Sequence, residues 1–315
     1  MRVFDDVSSV DPALRGAILT VGNFDGVHLG HQRILRTARA LAKVSSAAVI
    51  AMTFEPHPIV LLRPQEAPAR LTPWEEKVSQ LTKAGADAVV RLKTDWPLLS
   101  LSAEDFVREI LVKRIHPSYI VEGPNFGFGR GRQGNTDTLR HLSPKGGYQV
   151  HVVEPYHLSL NDEQIVVSST VVRRCLESGE VAKAAACLGR PYTLIGKVVP
   201  GAGAGKKLGY PTINLDVGEQ LVPAEGVYGG IAELPDLHAT AAVSIGHRPT
   251  LGGTSLVVEA FVLDESADWY GQTVRLCFLD FVRTQRKFES REALTDQIAK
   301  DIETVRRIAA ARTPR

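Results

Sequence analysis

The stretch AILTVGNFDGVHLGHQ, residues 17–32, decides the fold of the first half of the chain. A short apolar run ends at Gly22, a turn with a second glycine at Gly26 follows, and helical spacing begins near His28. Open α/β sheets bind ligands at the carboxyl ends of their strands, and the free N–H groups of a helix start bind phosphate. The stretch therefore predicts a nucleotide phosphate site.

Two histidines at the start of this helix are candidates for catalysis. His28 and His31 are three residues apart, so both lie on one face of the first helical turn. Two imidazoles there can contact phosphate oxygens and stabilise charge that develops on phosphorus. A pair of surface histidines is the alternative, but the position after a strand and a glycine turn favours catalysis. The residues of the loop that are expected to bind the nucleotide are Gly22, Asn23, Phe24, Asp25 and Gly26.

Downstream of this loop, strand-like runs and helical stretches alternate. Helical spacing covers residues 28–44, 74–85 and 102–115, and strand-like runs cover 46–54, 87–92, 119–123 and 148–155. This alternation predicts a parallel sheet with helices on both faces. Two short helical stretches, 169–178 and 180–188, complete a predicted first domain of residues 1–188.

The character of the chain changes at Gly189, where a predicted second domain, residues 189–315, begins. Apolar segments separated by turns run from Tyr192 to Val282, and a helical stretch follows near 290–310. Short strands without helices between them predict an antiparallel barrel or sandwich.

Charge and composition argue against several classes of protein. The 315 residues carry 37 basic and 35 acidic side chains, and a net charge of +2 gives no footprint of a nucleic-acid or membrane-surface binder. The first residues do not form a secretory signal, and no apolar run reaches the roughly 18 residues that span a bilayer. Three cysteines without metal-like spacing argue against a disulfide framework or a zinc site. We expect a soluble cytoplasmic protein with no nucleic-acid or membrane partner.

Two further loops of the first domain carry polar side chains. FEPHP, residues 54–58, holds His57 between two prolines, and His57 is a candidate nucleotide-binding residue, with an ordinary turn as the alternative. GPNFGFGRGRQGN, residues 123–135, combines five glycines with Asn125 and Arg130, and arginine can pair with phosphate. A disordered surface loop is its alternative, although its two phenylalanines are costly to expose.

A third segment, VSSTVVRRCL, lies at residues 167–176. It places Ser169 and Thr170 at a helix start, with Arg173 one turn later. A plain serine N-cap has the same pattern and is the alternative for this segment alone.

The second domain has its own candidate site in KKLGYPTINL, residues 206–215. Thr212 and Asn214 are two apart, so both point to one side of an extended chain. A hydroxyl and an amide oxygen on one side can hold a Mg²⁺-bound nucleotide. The glycine-rich stretch before them, PGAGAGKK (200–207), could wrap phosphates, or form only a flexible hairpin loop.

Glu259 is the candidate general base of this domain. It lies in SLVVEAFVLD, where nearly every neighbour is apolar, and a carboxylate in such a setting loses hydration. An ion-paired strand glutamate is the alternative.

Taken together, GNFDGVHLGH, PHP, GPNFGFGRGRQGN and SSTVVR resemble the N-terminal domain of bacterial bifunctional riboflavin kinase/FAD synthetases, in the same order. The resemblance implies a Rossmann-like nucleotidyltransferase fold with FMN adenylyltransferase activity. The residues that match the ATP- and FMN-handling positions of that family are His28, His31, Asn125, Ser169, Thr170 and Arg173.

The second half is similar to the riboflavin kinase domain of the same family. The matching segments are LGYPTINL, GVYGG (226–230), SIGHRPTLGG (244–253), VEAFVLD, WYGQ (269–272) and FVRTQRKFES (281–290). This resemblance implies a six-stranded antiparallel β-barrel with a C-terminal helix. Thr212 and Asn214 then match Mg²⁺–ATP positions, Gly209 belongs to the same nucleotide-binding segment, and Glu259 matches the base that activates the ribityl 5′-hydroxyl.

The sequence departs from the family pattern at four places. Lys206-Lys207 replace an arginine, which keeps the charge but loses the bidentate fork, and Pro200 stands near the place of a histidine. Ile213 replaces an alanine, and Gln285 stands where glutamate is expected.

The sequence as a whole predicts a two-step enzyme with ATP, riboflavin and FMN as its small-molecule partners and Mg²⁺ bound with ATP. The second domain would make FMN and ADP from riboflavin and ATP, and the first would make FAD and diphosphate from FMN and ATP. The alternatives are an enzyme that retains one activity and a non-catalytic flavin- or nucleotide-binding regulator. The sequence makes no prediction of oligomeric state.

Overall fold

The computed structural model of the protein describes residues 2–160, 162–201, 203, 205–250 and 253–312. The chain divides into two compact units, Met1–Ser168 and Ser169–Arg315, called here the first and the second unit. The helical stretches before residue 189 are grouped with the second unit by their packing. The sequence-based domain boundary near residue 189 stays a prediction.

The first unit is built on a six-stranded, all-parallel sheet with the order β1-β4-β3-β2-β5-β6. Its strands are β1 (Arg2–Phe4), β2 (Ile18–Gly22), β3 (Val49–Glu55), β4 (Ala88–Lys93), β5 (Tyr119–Glu122) and β6 (Gln149–Val152). The strand order reverses between β2 and β5, and ligands of such sheets bind at this point. The predicted parallel sheet is confirmed, with β1 as an edge strand that the sequence did not predict.

Helices cover both faces of this sheet. They are α1 (Leu29–Ser45), α2 (Pro58–Leu62), α3 (Trp74–Lys83), α4 (Trp96–Leu99), α5 (Ala103–Asp105) and α6 (Thr136–Gly146). Residues Phe106–Ile115 continue α5 as a π-helix. Because neighbouring strand residues point to opposite faces, Leu19 and Ile18 belong to two separate apolar clusters. The π-helix packs into the first cluster and α1 into the second, which confirms the layered prediction.

A small hairpin closes the first unit. Strands β7 (His157–Leu160) and β8 (Glu163–Val166) pair with each other in antiparallel register and not with the main sheet. This hairpin was not predicted from the sequence.

The second unit is a closed barrel with helices before and after it. Helices α7 (Ser169–Glu177) and α8 (Val181–Leu188) come first, and α9 (Arg291–Arg312) comes last. The strands are β9 (Tyr192–Val199), β10 (Ile213–Asp216), β11 (Gly226–Leu234), β12 (Leu237–Thr250), β13 (Gly253–Val262) and β14 (Thr273–Arg283). They close in the order β10-β13-β12-β11-β14-β9, each pair antiparallel. The six-stranded antiparallel barrel and its C-terminal helix are confirmed.

Within the described parts of the chain, none of the helices combines the length and the apolar character that crossing a bilayer requires.

Candidate active sites

The loop that joins β2 to α1 has an unusual backbone. Phe24, Gly26 and Val27 have positive φ angles of 46°, 83° and 41°. A positive φ is energetically unfavourable for Phe24 and Val27, which have a Cβ, so contacts with surrounding residues must stabilise this backbone conformation. The side chains of Phe24 and Val27 are almost fully buried, and their packing provides part of this stabilisation.

Asp25 anchors the same loop from the side. Its buried carboxylate accepts hydrogen bonds from the backbone N–H of Leu71, at 3.0 and 3.1 Å, and of Thr72, at 3.1 Å. The contact ties the loop to the segment before α3. Asp25 therefore shapes the loop, and its predicted part in nucleotide binding stays a prediction.

The two predicted catalytic histidines lie together at the start of α1. His28 is the N-cap residue, and its Nδ1 accepts a hydrogen bond of 3.4 Å from the backbone N–H of His31. The rings stack with their centroids 3.6 Å apart, and Phe24 meets the His31 ring edge-on. Burial lowers the pKa of His31 well below its ordinary value, and electrostatic interactions with His28 and Lys77 lower it further. His31 is therefore neutral at ordinary pH.

A cavity of about 250 Å³ opens where β2 and β5 end. The predicted site residues that line it are Gly22, Phe24, His28, His31 and Asn125. Gly30 lines it too, and a Cβ there would lie 3.0 Å from the His28 ring. The predicted residues of the first unit that do not line it are Asn23, Asp25, Gly26, His57 and Arg130.

Asn23 and His57 support the loop from outside this cavity. Their side-chain nitrogens, Nδ2 and Nε2, lie 2.9 Å apart, and the backbone carbonyl of Asn23 accepts a hydrogen bond from Thr53. His57 caps α2, because its Nδ1 accepts from the backbone N–H of Ile59. A neutral ring that accepts at Nδ1 carries its proton on Nε2, so Nε2 is a donor. Its partner in Asn23 must then be the amide oxygen rather than the amide nitrogen, which corresponds to turning the amide group over.

The glycine-rich loop after β5 is packed rather than free. Phe128 is buried, stacks on Phe126 and lies against Phe106 of the π-helix. The backbone carbonyl of Asn125 accepts a hydrogen bond from Arg132. The side chains of Asn125 and Arg130 are exposed.

Three predicted residues lie in the second unit at the start of α7. Ser169 and Thr170 begin this helix and Arg173 follows one turn later, as the sequence predicted for the local structure. Their role in binding stays a prediction.

The candidate site of the barrel lies on its outer face. Asn214 pairs in register with Glu259, so the two side chains share one face of the sheet, while Val258 and Ala260 point into the barrel. The Thr212 hydroxyl donates a hydrogen bond of 3.5 Å to Glu259 Oε1. The structure therefore brings the predicted metal-binding residues and the predicted base together.

Two glycines allow the preceding loop to close over these side chains. A Cβ on Gly201 would lie 2.0 Å from Asn214 Nδ2, and a Cβ on Gly205 would lie 2.3 Å from the carbonyl oxygen of Tyr210. No side chain fits at either position. Gly209 has a φ of 84°, which also favours glycine. Two alanines of the predicted phosphate-wrapping stretch, Ala202 and Ala204, lie outside the described residues.

A cavity of about 520 Å³ lies beside this site. Thr212 and Lys206 line one side, and Asp268, Trp269 and Tyr270 from the loop between β13 and β14 line the other. Asn214, Glu259 and Gly209 do not line it.

The donor atoms of the barrel site suit a hard cation. Thr212, Asn214 and Glu259 offer a hydroxyl, an amide and a carboxylate oxygen. In the described chain, no group of three or more histidine, cysteine or acidic side chains could hold a metal ion. Mg²⁺ needs no such cage, because it keeps several waters and binds through one or two protein oxygens together with substrate phosphates.

Two family models match the chain in succession. The model described as FAD synthetase covers residues 10–171, and the riboflavin kinase model covers residues 188–309. A curated relative from Escherichia coli (strain K12), a bifunctional riboflavin kinase/FMN adenylyltransferase, is 33% identical over 92% of each chain. The chain belongs to the bifunctional riboflavin kinase/FMN adenylyltransferase family.

Other relatives extend the match. A member of this riboflavin kinase/FMN adenylyltransferase family from Haemophilus influenzae is 34% identical over 97% of this chain and 98% of that protein. A crystal structure described as a macrolide-efflux protein from Streptococcus pneumoniae has a TM-score of 0.86 and 28% identity, over 96% of this chain and 98% of that chain. The folds of both units are therefore shared with a solved structure.

One departure from the pattern of the riboflavin kinase/FMN adenylyltransferase family has a structural explanation. Gln285 Nε2 donates hydrogen bonds to the Ser244 hydroxyl, at 2.9 Å, and to the carbonyl oxygen of Ile245, at 3.0 Å. Ser244 is the register partner of Glu259 on β12. An ionised glutamate at position 285 could not donate either bond.

Two buried charged or titratable residues near the first cavity were not predicted from the sequence. Lys77 is 5% exposed, and its ammonium group lies 3.3 Å from the carboxylate of Glu55, which Arg70 also binds. Burial lowers the pKa of Lys77, and Glu55 and Asp25 oppose that shift. Glu122 is 3% exposed and lines the cavity. A carboxylate next to an apolar run was the available signal, and it resembles the one that identified Glu259.

Proposed function

We propose that this chain makes FAD from riboflavin in two ATP-dependent steps. The observation that carries the proposal is the succession of an FAD synthetase match and a riboflavin kinase match along one chain, with relatives named for both activities. The second unit phosphorylates riboflavin to FMN and releases ADP. The first unit joins FMN to the AMP part of a second ATP and releases diphosphate. We also propose a cytoplasmic location, where ATP is available.

In the kinase step, the ribityl 5′-hydroxyl of riboflavin attacks the γ-phosphorus of ATP. A new O–P bond forms, the bond to ADP breaks, and Glu259 takes the hydroxyl proton. The 3.5 Å hydrogen bond between Thr212 and Glu259 supports this assignment, because it puts the base beside the proposed phosphate-binding residues. Mg²⁺ bound with ATP would neutralise charge on the phosphates. Thr212 and Asn214 would hold and orient the nucleotide–metal complex, with Gly209 in the loop beside it.

In the adenylyl step, a phosphate oxygen of FMN attacks the α-phosphorus of ATP and diphosphate leaves. No covalent bond to the protein is needed. His28 and His31 donate N–H groups to the phosphate oxygens as negative charge develops there. Their stacked rings at the cavity support this role. We assign nucleotide or flavin binding to Asn125, Arg130, Ser169, Thr170, Arg173 and the loop from Gly22 to Gly26.

The test is a product assay with purified protein, ATP and Mg²⁺. Riboflavin as the sole flavin should yield first FMN and then FAD on chromatography, and FMN alone should yield FAD. A protein with one activity would convert only one of the two flavins. Tight flavin binding without turnover would identify a regulator and overturn the proposal.

Metal removal provides a second test. EDTA should stop both steps, and Mg²⁺ added back in excess should restore them. Replacing Thr212 by valine should raise the Mg²⁺ concentration needed for FMN formation and leave that for FAD formation unchanged.

A further inference from the structure

Glu122 is the one buried carboxyl group that lines the first cavity, among the described residues. It is the last residue of β5, at the point where the strand order reverses. Neither the proposed phosphate-binding groups nor the loop anchors include it. Its contacts show what it does there.

Strands β2 and β5 separate before they end. Their register pairs are Ile18 with Tyr119 and Leu19 with Ile120, whereas β2 pairs with β3 along its whole length to Gly22. Beyond Leu19, the side of β2 that faces β5 therefore loses its backbone partner. This separation opens the cavity between the two strand ends.

The side chain of Glu122 fills the missing place in the ladder. Its Oε1 accepts a hydrogen bond of 2.5 Å from the backbone N–H of Val21 and one of 3.4 Å from the hydroxyl of Thr20. Without it, the buried N–H of Val21 would lack a partner, which is destabilising. Val21 directly precedes Gly22, where the loop to His28 begins.

Burial favours the uncharged form of the Glu122 carboxyl group. Burial raises the pKa of Glu122 well above its ordinary value, and the hydrogen bonds from Val21 and Thr20 oppose this only in part. No ion pair to Glu122 occurs among the described residues. A neutral group at this point avoids placing a negative charge beside a polyanionic nucleotide.

We propose that Glu122 is a positioning residue for the adenylyl step, which replaces the lost pairing between β2 and β5 and so sets the start of the loop that carries His28 and His31. The inference rests on the proposed function of the first unit. It concerns the placement of the loop, and Glu122 itself takes no proton from the substrate.

The proposal predicts a specific order among variants of Glu122. Glu122→Gln keeps an uncharged acceptor for Val21 and should form FAD from FMN within about threefold of the wild-type rate. Glu122→Leu removes the acceptor, and Glu122→Asp withdraws it by one methylene. Both should lower kcat by roughly tenfold to a hundredfold, more than they change KM for ATP, because misplaced catalytic groups affect the transition state most.

Two controls separate this effect from unfolding. FMN formation by the second unit of the same molecules should be unchanged, and Glu104→Gln, an exposed glutamate on α5, is the matched surface change. Hydrogen exchange at the Val21 amide, measured without substrate, should stay slow in Glu122→Gln and become fast in Glu122→Leu.

The outcomes distinguish the inference from the function on which it rests. Wild-type protein that forms no FAD overturns the proposed function, and the exchange measurement still tests the hydrogen bond. If the wild type is active, the positioning role is overturned by a Gln variant as impaired as the Leu variant, or by a Leu variant with the wild-type kcat. Should Glu122→Leu fail to fold, the comparison of the Gln and Asp variants decides.

Discussion

At the scale of single residues, the neutral state of His31 has the widest consequences. Its ring is held between His28 and Phe24, and its Nδ1 is buried without a hydrogen-bond partner in the described structure. A neutral imidazole donates one hydrogen bond and brings no charge into the cavity. Its contribution to catalysis would therefore depend on the position of that one N–H group.

His31→Ala should reduce FAD formation from FMN by roughly a hundredfold to a thousandfold and leave FMN formation intact. The reason is the loss of one fixed donor where charge develops in the transition state. The rates of both steps, measured separately by chromatography, check this. His141→Ala, an exposed histidine on α6, is the matched control and should have no effect. FAD formation by His31→Ala at the wild-type rate would contradict the assigned role.

The lowered pKa of His31 also predicts how stability depends on pH. The unfolded chain takes up a proton on His31 near the ordinary pKa of 6.5, and the folded chain does so only at much lower pH. Protons are thus bound preferentially by the unfolded state, so the free energy of unfolding falls as the pH drops below about 6.5. Denaturant titrations of wild type and His31→Phe at several pH values check this. Equal pH slopes in the two proteins just below pH 6.5 would show that His31 is not the cause.

The sequence predicts which side chains lie together when the residues are close along the chain. His28 and His31 share a helical turn because they are three apart, and Thr212 and Asn214 share a strand face because they are two apart. The role of Glu122 depends on a partner 101 positions away, Val21. No local pattern contains that information.

At the scale of elements, one buried ion pair attaches α9 to the barrel. Arg283, at the end of β14, binds both carboxylate oxygens of Asp301 at 2.8–3.0 Å, and Gln297 donates a further bond to Asp301. Asp301 is 5% exposed, and α9 packs on β11, β12 and β14. The C-terminal helix is therefore joined to the barrel by charge as well as by apolar contact.

Asp301→Ala should destabilise the second unit by about 3–5 kcal/mol, because it leaves the Arg283 guanidinium largely buried and without its carboxylate partner. Thermal or denaturant unfolding followed through loss of FMN formation measures the effect. Asp296→Ala changes an exposed aspartate of the same helix and should alter stability little. Similar losses in the two variants would contradict the importance of the pair.

The elements that the sequence predicted are those with clear periodicity, such as α1 and β3. Three features of the structure were not predicted from the sequence. β1 has only three residues and the strands of the β7–β8 hairpin only four, so periodicity identifies neither. The sequence predicted a helix over 102–115 but not its type: the buried residues of the π-helix, Phe106, Val107, Leu111 and Ile115, follow spacings of four and five residues.

At the scale of the whole molecule, the cavities at the two candidate sites belong to separate compact units. The cavity of about 250 Å³ is lined entirely by the first unit and that of about 520 Å³ entirely by the second. A variant that loses one of the two activities should therefore keep the other.

A mixture of two single-site variants tests this independence. His31→Ala should stop at FMN when given riboflavin, and Glu259→Gln should convert FMN but not riboflavin. Mixed in equal amounts with riboflavin and ATP, the two should together produce FAD, because FMN released by one is available to the other. Absence of FAD from the mixture, with each partner active in its own step, would show that FMN must pass within one molecule.

The order of the two halves was predictable because the chain changes from alternating helices and strands to strands alone. The choice between a barrel and a sandwich was not, since both bury alternate residues. The barrel closes because β9 pairs with both β10 and β14. In the second pairing Thr273 lies opposite Lys197, 76 positions earlier, and no periodic pattern in the sequence indicates such a distant pair. The family resemblance, rather than the pattern, predicted the closure.

His28 is the N-cap of α1, and at this position the residue proposed for catalysis is not the one that best stabilises the helix. An imidazole that accepts the capping N–H of His31 at 3.4 Å is a weak cap, and serine is among the strongest. His28→Ser should therefore raise the melting temperature of the first unit and remove most FAD formation, which calorimetry and the product assay would show together; a fall in both would refute this. The same substitution that selection for robustness would favour is thus one that selection for catalysis must reject.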